Sequence, residues 1–141
     1  MMENMQAVRL FAGLLVRKSS SSLAITVQEM NLLYRLAMAD RQLTAGELCR
    51  EMGLDKSIVS RLVERLAVKR LLERETGVQD RRRVPLAITE AGRAALNDAC
   101  VYYLEPVYAL RRAMGGEAFA RLMADVRLAN GCRRGEAGVA I

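Results

Sequence analysis

Residues 43–92 constrain the fold more than any other part of the chain, because they contain two short helical patterns separated by a turn. Thr44 followed three residues later by Glu47 is the sequence of a capping box, which starts a helix. A turn at Gly53 comes next, and Asp55 is placed to cap a second, longer helix. This order predicts a helix-turn-helix.

A basic hairpin is predicted directly after the second helix. Two short extended runs, 71–75 and 84–88, flank a connection that contains Gly77 and three consecutive arginines, Arg81, Arg82 and Arg83. A glycine-containing connection between two such runs is typical of a hairpin, and its arginines are suited to a polyanion. The segment therefore predicts a winged helix, in a chain that is mainly α with a small β-hairpin wing (α+β).

The second helix, residues 56–69, divides into an apolar face and a polar face at 100° per residue. The apolar residues are Ile58, Val59, Leu62, Val63 and Leu66. The outward residues are Lys56, Ser57, Ser60, Arg61, Glu64 and Arg65. Small hydroxyls allow close approach to base edges, and Arg can donate twice to guanine. Alone, such a face is as typical of a solvated helix as of a DNA reader. The adjacent arginine-rich hairpin favours DNA.

The segment 54–66, the wing 80–83 and the junction 88–92 together resemble the MarR family of bacterial transcription regulators. The wing has the D-x-R pattern of that family, and the junction Ile88-Thr89-Glu90-Ala91-Gly92 matches its L-T-x-x-G pattern at the same spacing, with isoleucine in place of leucine. The resemblance covers nearly the whole chain. It implies a winged helix-turn-helix with N- and C-terminal dimerisation helices.

The resemblance also implies roles for single residues. Arg82 would reach the minor groove, and Asp80 would orient it. Ser57, Ser60 and Arg61 would contact DNA from the recognition helix. With the outward face and the hairpin, the predicted DNA-binding residues are Lys56, Ser57, Ser60, Arg61, Arg65, Asp80, Arg81, Arg82 and Arg83.

Composition agrees with an anionic partner. The 141 residues carry a net charge of +6, and the isoelectric point is near 9.7. Nucleic acid is the usual partner of such a chain, so double-stranded DNA is expected. The apolar run 10–16 is too short to span a bilayer, and its basic residues follow it, unlike those of a signal peptide. We therefore expect no membrane partner and a cytoplasmic location.

Catalytic and metal chemistry find little support in the sequence. There is no histidine, and Cys49, Cys100 and Cys132 lack zinc-site spacing. Gly115 and Gly116 are not followed by the residues of a phosphate-binding loop. We expect no cofactor and no bound metal, and an enzyme is the remotest of the functions considered.

The terminal helices are predicted to form a dimer. The first helix is apolar on more than one side, and packing within its own subunit cannot bury all of these sides. The last helix has an apolar stripe. In the MarR family the first and last helices of two subunits interlock. The predicted interface residues are Val8, Phe11, Leu15, Phe119, Leu122 and Val126. The predicted divisions are a dimerisation helix and linker (1–22), the winged helix (23–92), dimerisation helices (93–131) and a loose tail (132–141).

Three further expectations concern the remaining helices. Thr26 and Glu29 predict a capping box before a helix whose inward residues include Tyr34. Pro106 should kink or split the long helical stretch after Thr89, because it removes a backbone hydrogen bond. The last helix is predicted to cover 117–130 and to end at Asn130-Gly131.

Effector sensing is the weakest inference from the sequence. Many MarR-family members bind a phenolic ligand or oxidise a cysteine. Tyr34, Tyr102 and Tyr103 are candidates to line a site for a small aromatic effector, although aromatic residues at helical spacing are more often core. Cys132, beside two arginines, is the cysteine whose surroundings most favour a reactive thiol.

These observations predict a homodimer that binds a pseudo-palindromic operator and regulates transcription, as a repressor released by a small-molecule effector. The alternative is a winged-helix protein-docking module without specific DNA binding. Arg61 and the arginines of the wing count against that alternative, because docking surfaces favour aromatic and aliphatic anchors.

Overall fold

The computed structural model describes residues 1–76 and 83–133 and has a mainly helical architecture with a small antiparallel sheet. The elements, in chain order, are α1 (Met2–Leu15), α2 (Val27–Met38), β1 (Leu43–Thr44), α3 (Ala45–Met52), α4 (Lys56–Val68), β2 (Leu72–Arg74), β3 (Pro85–Ile88), α5 (Glu90–Tyr103), α6 (Glu105–Met114) and α7 (Gly116–Arg133). The predicted fold class is confirmed.

The chain divides into two units. Arg17–Tyr103 forms one of them, which contains α2 to α5 and the sheet, and the other contains α1, α6 and α7. Residues 93–103 were predicted to belong with the dimerisation helices. The structure instead packs α5 into the Arg17–Tyr103 unit, because Leu96, Ala99 and Tyr103 are buried in its core.

Both predicted capping boxes are formed. The hydroxyl of Thr26 accepts a bond from the backbone N–H of Glu29 at 3.3 Å, and the Glu29 carboxylate accepts from the N–H of Thr26 at 2.9 Å. Thr44 and Glu47 repeat this arrangement at the start of α3. These reciprocal bonds satisfy donors that a helix start leaves free, which explains why both helices begin where the sequence predicts.

The helix-turn-helix is held by a leucine-rich core. Gly53 adopts the left-handed conformation (φ 64°, ψ 34°) that ends α3, which glycine tolerates without strain. Asp55 stands at the N-cap of α4, but its side chain makes no capping hydrogen bond. The largest fully buried aliphatic residues are Leu32, Leu33, Leu48, Leu62, Leu66, Leu72 and Val59.

The sheet contains one strand more than the sequence predicted. Its order is β1-β3-β2, and Leu43 and Thr44 pair with Leu86 and Pro85. Pro85 is the first residue of β3, a position that tolerates the absence of an N–H. Its carbonyl accepts a bond from the N–H of Glu75 at 2.9 Å.

The junction from β3 into α5 is fastened to the turn after α4. Arg70 takes a positive φ of 57°, and its carbonyl accepts a bond from the Thr89 hydroxyl at 2.8 Å. The N–H of Thr89 donates to the carbonyl of Leu71 at 3.1 Å. Gly92 lies against the same carbonyl, and a Cβ placed there would be 1.9 Å from the Leu71 oxygen. The junction therefore needs glycine at this position.

The second unit differs from expectation at one helix end. Pro106 stands in the first turn of α6, and the long helical stretch is split between Tyr103 and Glu105, as predicted. The prediction that α7 ends at Asn130-Gly131 is wrong, because the helix continues to Arg133. Glycine in a helix costs only about 1 kcal/mol relative to alanine. A single glycine therefore ends a helix only where the carbonyl groups of its last turn find other hydrogen-bond donors.

Tyr34 is also placed differently from the prediction. Its side chain is 51% exposed, while Leu32 and Leu36 are buried on the same helix. The core-facing stripe of α2 is therefore rotated away from Tyr34.

Candidate nucleic-acid interface

The predicted division of α4 into two faces matches the burial of its side chains. Val59, Leu62, Val63 and Leu66 are buried, and Ile58 is packed against this cluster. The outward residues Lys56, Ser57, Ser60, Arg61 and Arg65 are all exposed. A rigid apolar anchor below the helix therefore fixes which side chains point outward.

The first turns of α4 offer small and basic groups to solvent. Ser57 and Ser60 allow close approach of a ligand, and Arg61 donates from Nε to the Ser57 carbonyl of its own helix at 3.4 Å. Within residues 1–76 and 83–133, neither Lys56 nor Arg61 forms an ion pair. Their charges are available to an anionic partner.

Arg65 has a different environment from Arg61. Its Nε lies 3.3 Å from Oε1 of Glu29, whose side chain is only 1% exposed. Lys69, at the C-cap of α4, lies 3.0 Å from Oε2 of the same carboxylate. Sequence reasoning identified Glu29 only as a capping residue and missed its role as the partner of two cations. The sequence signal was limited to a glutamate three residues after Thr26, which a capping box already explains.

The base of the wing is connected to α4. Arg74 of β2 forms an ion pair with Glu64 of α4, with Nη2 and Oε2 3.2 Å apart and both side chains largely exposed. Arg83, two residues before the start of β3, is exposed. The predicted wing residues Asp80, Arg81 and Arg82 lie outside the described residues.

The helix that precedes α4 is stabilised by Glu47. Its carboxylate accepts bonds from the Thr44 N–H at 2.8 Å and contacts Arg41 Nη1 at 2.8 Å. The backbone bond from Thr44, followed by the bond from Arg41, lowers the pKa of Glu47 below its usual value of 4.5. The start of α3 is therefore fastened by a charged acceptor at neutral pH.

Among the described residues, Tyr34 lines two clefts to which the other two tyrosines of the predicted effector site do not contribute. Tyr34 lines an open cleft of about 510 Å³ with Arg35, Met38 and Arg41, and a second of about 420 Å³ with Asn31 and Met52. Neither cleft includes the other two tyrosines. A site built jointly from Tyr34 and the pair at the end of α5 therefore finds no support.

Tyr102 and Tyr103 have structural partners in the Arg17–Tyr103 unit. Tyr103 is buried and donates its hydroxyl to the carbonyl of Ile25 at 3.3 Å. The Arg17 guanidinium lies 4.4 Å from the centroid of the Tyr102 ring, in cation–π contact. The two rings meet edge to face at 5.1 Å. Tyr103 therefore belongs to the core.

The three cysteines are free thiols in different surroundings. Cys49 and Cys100 are half-buried, and burial raises the pKa of the Cys100 thiol. Cys132 is exposed on α7.

In the described part of the chain, no three residues among His, Cys, Asp and Glu come together as a metal site. None of the helices there is both long and apolar enough to cross a bilayer.

The residues predicted to form a dimer are accessible in the unit of α1, α6 and α7. No residue of α1 is buried in the single chain, and Val8 is 66% exposed. The other predicted interface residues are half-buried: Phe11, Leu15, Phe119, Leu122 and Val126. Within the described residues of this unit, apolar surface is therefore exposed on the single chain.

Comparison with known proteins agrees with the geometry. The family model described as the MarR family matches residues 25–83. No curated protein matches the sequence.

Solved structures share the fold at low identity. The structure of MepR from S. aureus in complex with DNA aligns with a TM-score of 0.74 and 20% identity, over 91% of this chain and 96% of that one. A MarR/EmrR family regulator from Acinetobacter sp. ADP1 aligns with a TM-score of 0.70 and 22% identity, over 94% and 96%. PcaV of Streptomyces coelicolor, in complex with its natural ligand, aligns with a TM-score of 0.63 and 22% identity, over 98% and 90%.

Proposed function

We propose that this chain is a member of the MarR family of transcription regulators, whose family model matches residues 25–83, and that it is a sequence-specific DNA-binding repressor. In this proposal a homodimer in the cytoplasm binds a pseudo-palindromic operator. The recognition helix α4 enters the major groove, and the wing enters an adjacent minor groove.

The outward face of α4 is the observation that carries the proposal. Lys56, Ser57, Ser60 and Arg61 are exposed on its first two turns, and four buried aliphatic residues fix the opposite face. A recognition helix reads base edges from its N-terminal residues, where Arg can donate twice to guanine O6 and N7. The net charge of +6 supports association with DNA but not its specificity.

A homodimer follows from the geometry of an operator. One recognition helix covers a half-site, and two half-sites are read when two copies hold their helices about 34 Å apart, one turn of DNA. The exposed apolar residues of α1, such as Val8, are the support within this chain for a second copy. Repression would result from occlusion of a promoter by the bound dimer.

Release by a small aromatic effector is the regulatory part of the proposal. The structure of PcaV with its natural ligand supports ligand control as a use of this fold. Tyr34 lines both open clefts on α2, next to Arg35. An effector must bind the DNA-free form more tightly, because equal affinity for both forms would shift nothing. A screen of aromatic acids for weakened operator binding tests this part.

Selection of genomic DNA tests the proposed function. The purified protein would be mixed with sheared DNA from its own organism, and the retained fragments would be sequenced. We expect a small set of fragments that share a palindromic motif upstream of genes. Retention without any enriched motif would contradict specific recognition, and no retention at low salt would favour the protein-docking alternative.

A further inference from the structure

We propose that Glu29 is a positioning residue for operator recognition. It holds the C-terminal half of α4 against α2. Its carboxylate also pairs with Arg65 and Lys69, so that these two cations are not available to bind DNA phosphates. This inference rests on the proposed function, because it concerns how the recognition helix is held. It also assigns Arg65 a role other than the predicted contact with DNA.

The carboxylate of Glu29 is buried, and its partners lie at the start of α2 and at the C-terminal end of α4. Oε2 accepts from the Thr26 N–H at 2.9 Å and from Lys69 Nζ at 3.0 Å. Oε1 lies 3.3 Å from Arg65 Nε. The side chain is 1% exposed, whereas those of Arg65 and Lys69 are 55% and 38% exposed. The cations therefore cover the acid from the solvent side.

A second bond extends this connection into the linker before α2. Lys69 Nζ also donates to the carbonyl of Ala24 at 2.8 Å. The C-cap of α4 is thus joined both to the linker and to the first turn of α2, 40 to 45 residues earlier in the sequence. A buried carboxylate is strongly destabilising without its partners, so these contacts resist rotation of α4 about its axis.

The consequence for DNA binding concerns the difference between Arg61 and Arg65. The two side chains are one helical turn apart on the exposed face of α4. Both line a groove of about 320 Å³ with Gln28 of α2. Only Arg65 is held by a buried acid. Unpaired cationic side chains bind the phosphates of DNA of any sequence. A helix that is held in one orientation places Arg61 at a defined base. Glu29 therefore favours specificity over general affinity.

The variant Glu29→Gln tests the proposal. The amide oxygen still accepts from the Thr26 N–H, but the charge that holds the two cations is lost. We expect tighter binding to random DNA, with a salt slope steeper by about 1 or more per protomer. We also expect the ratio of operator affinity to random-DNA affinity to fall by about tenfold or more. Looser packing alone would weaken both kinds of binding and would not steepen the slope.

Glu64→Gln is the matched control. Glu64 lies on the same helix and pairs with Arg74, but its side chain is 62% exposed and does not connect α4 to α2. Its replacement removes the same charge near DNA, so operator and random DNA should both bind more tightly, with their ratio unchanged. A similar fall of the ratio in both variants would mean that charge near the DNA, rather than the position of α4, decides specificity.

Arg65→Met decides the question independently of any folding defect in Glu29→Gln, because Glu29 keeps Lys69 and Thr26 as partners. If Arg65 is a positioning residue, Arg65→Met should leave the salt slope of random-DNA binding unchanged. It should also lower the ratio of operator affinity to random-DNA affinity. A slope shallower by about 1 per protomer would overturn the proposal and restore Arg65 as a phosphate contact. If the wild type does not discriminate between sequences, the proposed function fails. If it does and neither variant lowers the ratio, only the present inference fails.

Discussion

Replacement of Gly92 by alanine should destabilise the winged helix strongly, although alanine favours helices. The added Cβ would lie 1.9 Å from the Leu71 carbonyl oxygen, about 1.5 Å short of the 3.4 Å at which ordinary contact begins. The clash between the Cβ and this oxygen cannot be relieved by rotation of a side chain. The oxygen belongs to the backbone and accepts a bond from the Thr89 N–H at 3.1 Å. The α5 helix must therefore shift away from β2.

The expected cost follows from three contributions. Overpacking with a backbone shift costs about 1–3 kcal/mol. Loss of the Thr89–Leu71 hydrogen bond adds about 1 kcal/mol. The helix preference of alanine over glycine returns about 0.5–1 kcal/mol. The net loss is about 1–3.5 kcal/mol, which lowers Tm by roughly 5–25 °C for a domain of this size.

Urea and thermal unfolding of wild type and Gly92→Ala measure this loss. Gly46→Ala is the control, because it adds the same methyl group in α3, where the nearest atom is the Thr44 hydroxyl at 3.9 Å. That variant should be stabilised by a few tenths of a kcal/mol up to about 1 kcal/mol. If Gly92→Ala were as stable as the wild type, the close approach at the junction would be refuted.

Three further predictions concern dimerisation, pH and the wing. Phe11→Asp should convert a sedimenting species of twice the chain mass into a monomer and weaken operator binding, and an unchanged mass would contradict the proposed interface. Since the folded pKa of Glu47 is lowered, its contribution to stability is present above pH 4.5 and is lost as the pH falls through the folded pKa. The free energy of unfolding of wild type should therefore exceed that of Glu47→Gln at pH 7, with the difference shrinking in acid; a constant difference would contradict this role. Arg82→Ala should weaken binding to all sequences and lower the salt slope by about 1 per protomer. Asp80→Ala should cause part of the same loss, because the resemblance implies that Asp80 orients Arg82, and tighter binding by this variant would contradict that role.

Local signals in the sequence predicted most of the helix boundaries. The capping boxes at Thr26 and Thr44 and the break at Pro106 depend on neighbouring residues alone, so the spacing of residue types was sufficient. The α7 helix was the exception, since a glycine near its end did not end it.

Features that depend on contacts between distant residues could not be predicted from the sequence. The strand β1 has only two residues and exists because Leu43 and Thr44 pair with a strand about 40 residues later. Glu29 was recognised as a cap, but its pairing with Lys69 depends on how α2 and α4 pack. Tyr34 was expected to face the core, because a period of 3.6 residues allows more than one choice of buried stripe.

Base preference at single operator positions is the most direct measurement of whether α4 reads DNA. Wild type and Arg61→Ala would be titrated against the selected operator and all its single-base variants at one salt concentration. Arg111→Ala, which removes the same charge from the exposed face of α6, is the control. We predict that Arg61→Ala loses about 1–3 kcal/mol on the operator and loses its base preference at one position in each half-site, while Arg111→Ala keeps every preference. An equal loss on every sequence, or no loss at all, would show that this helix does not read the operator.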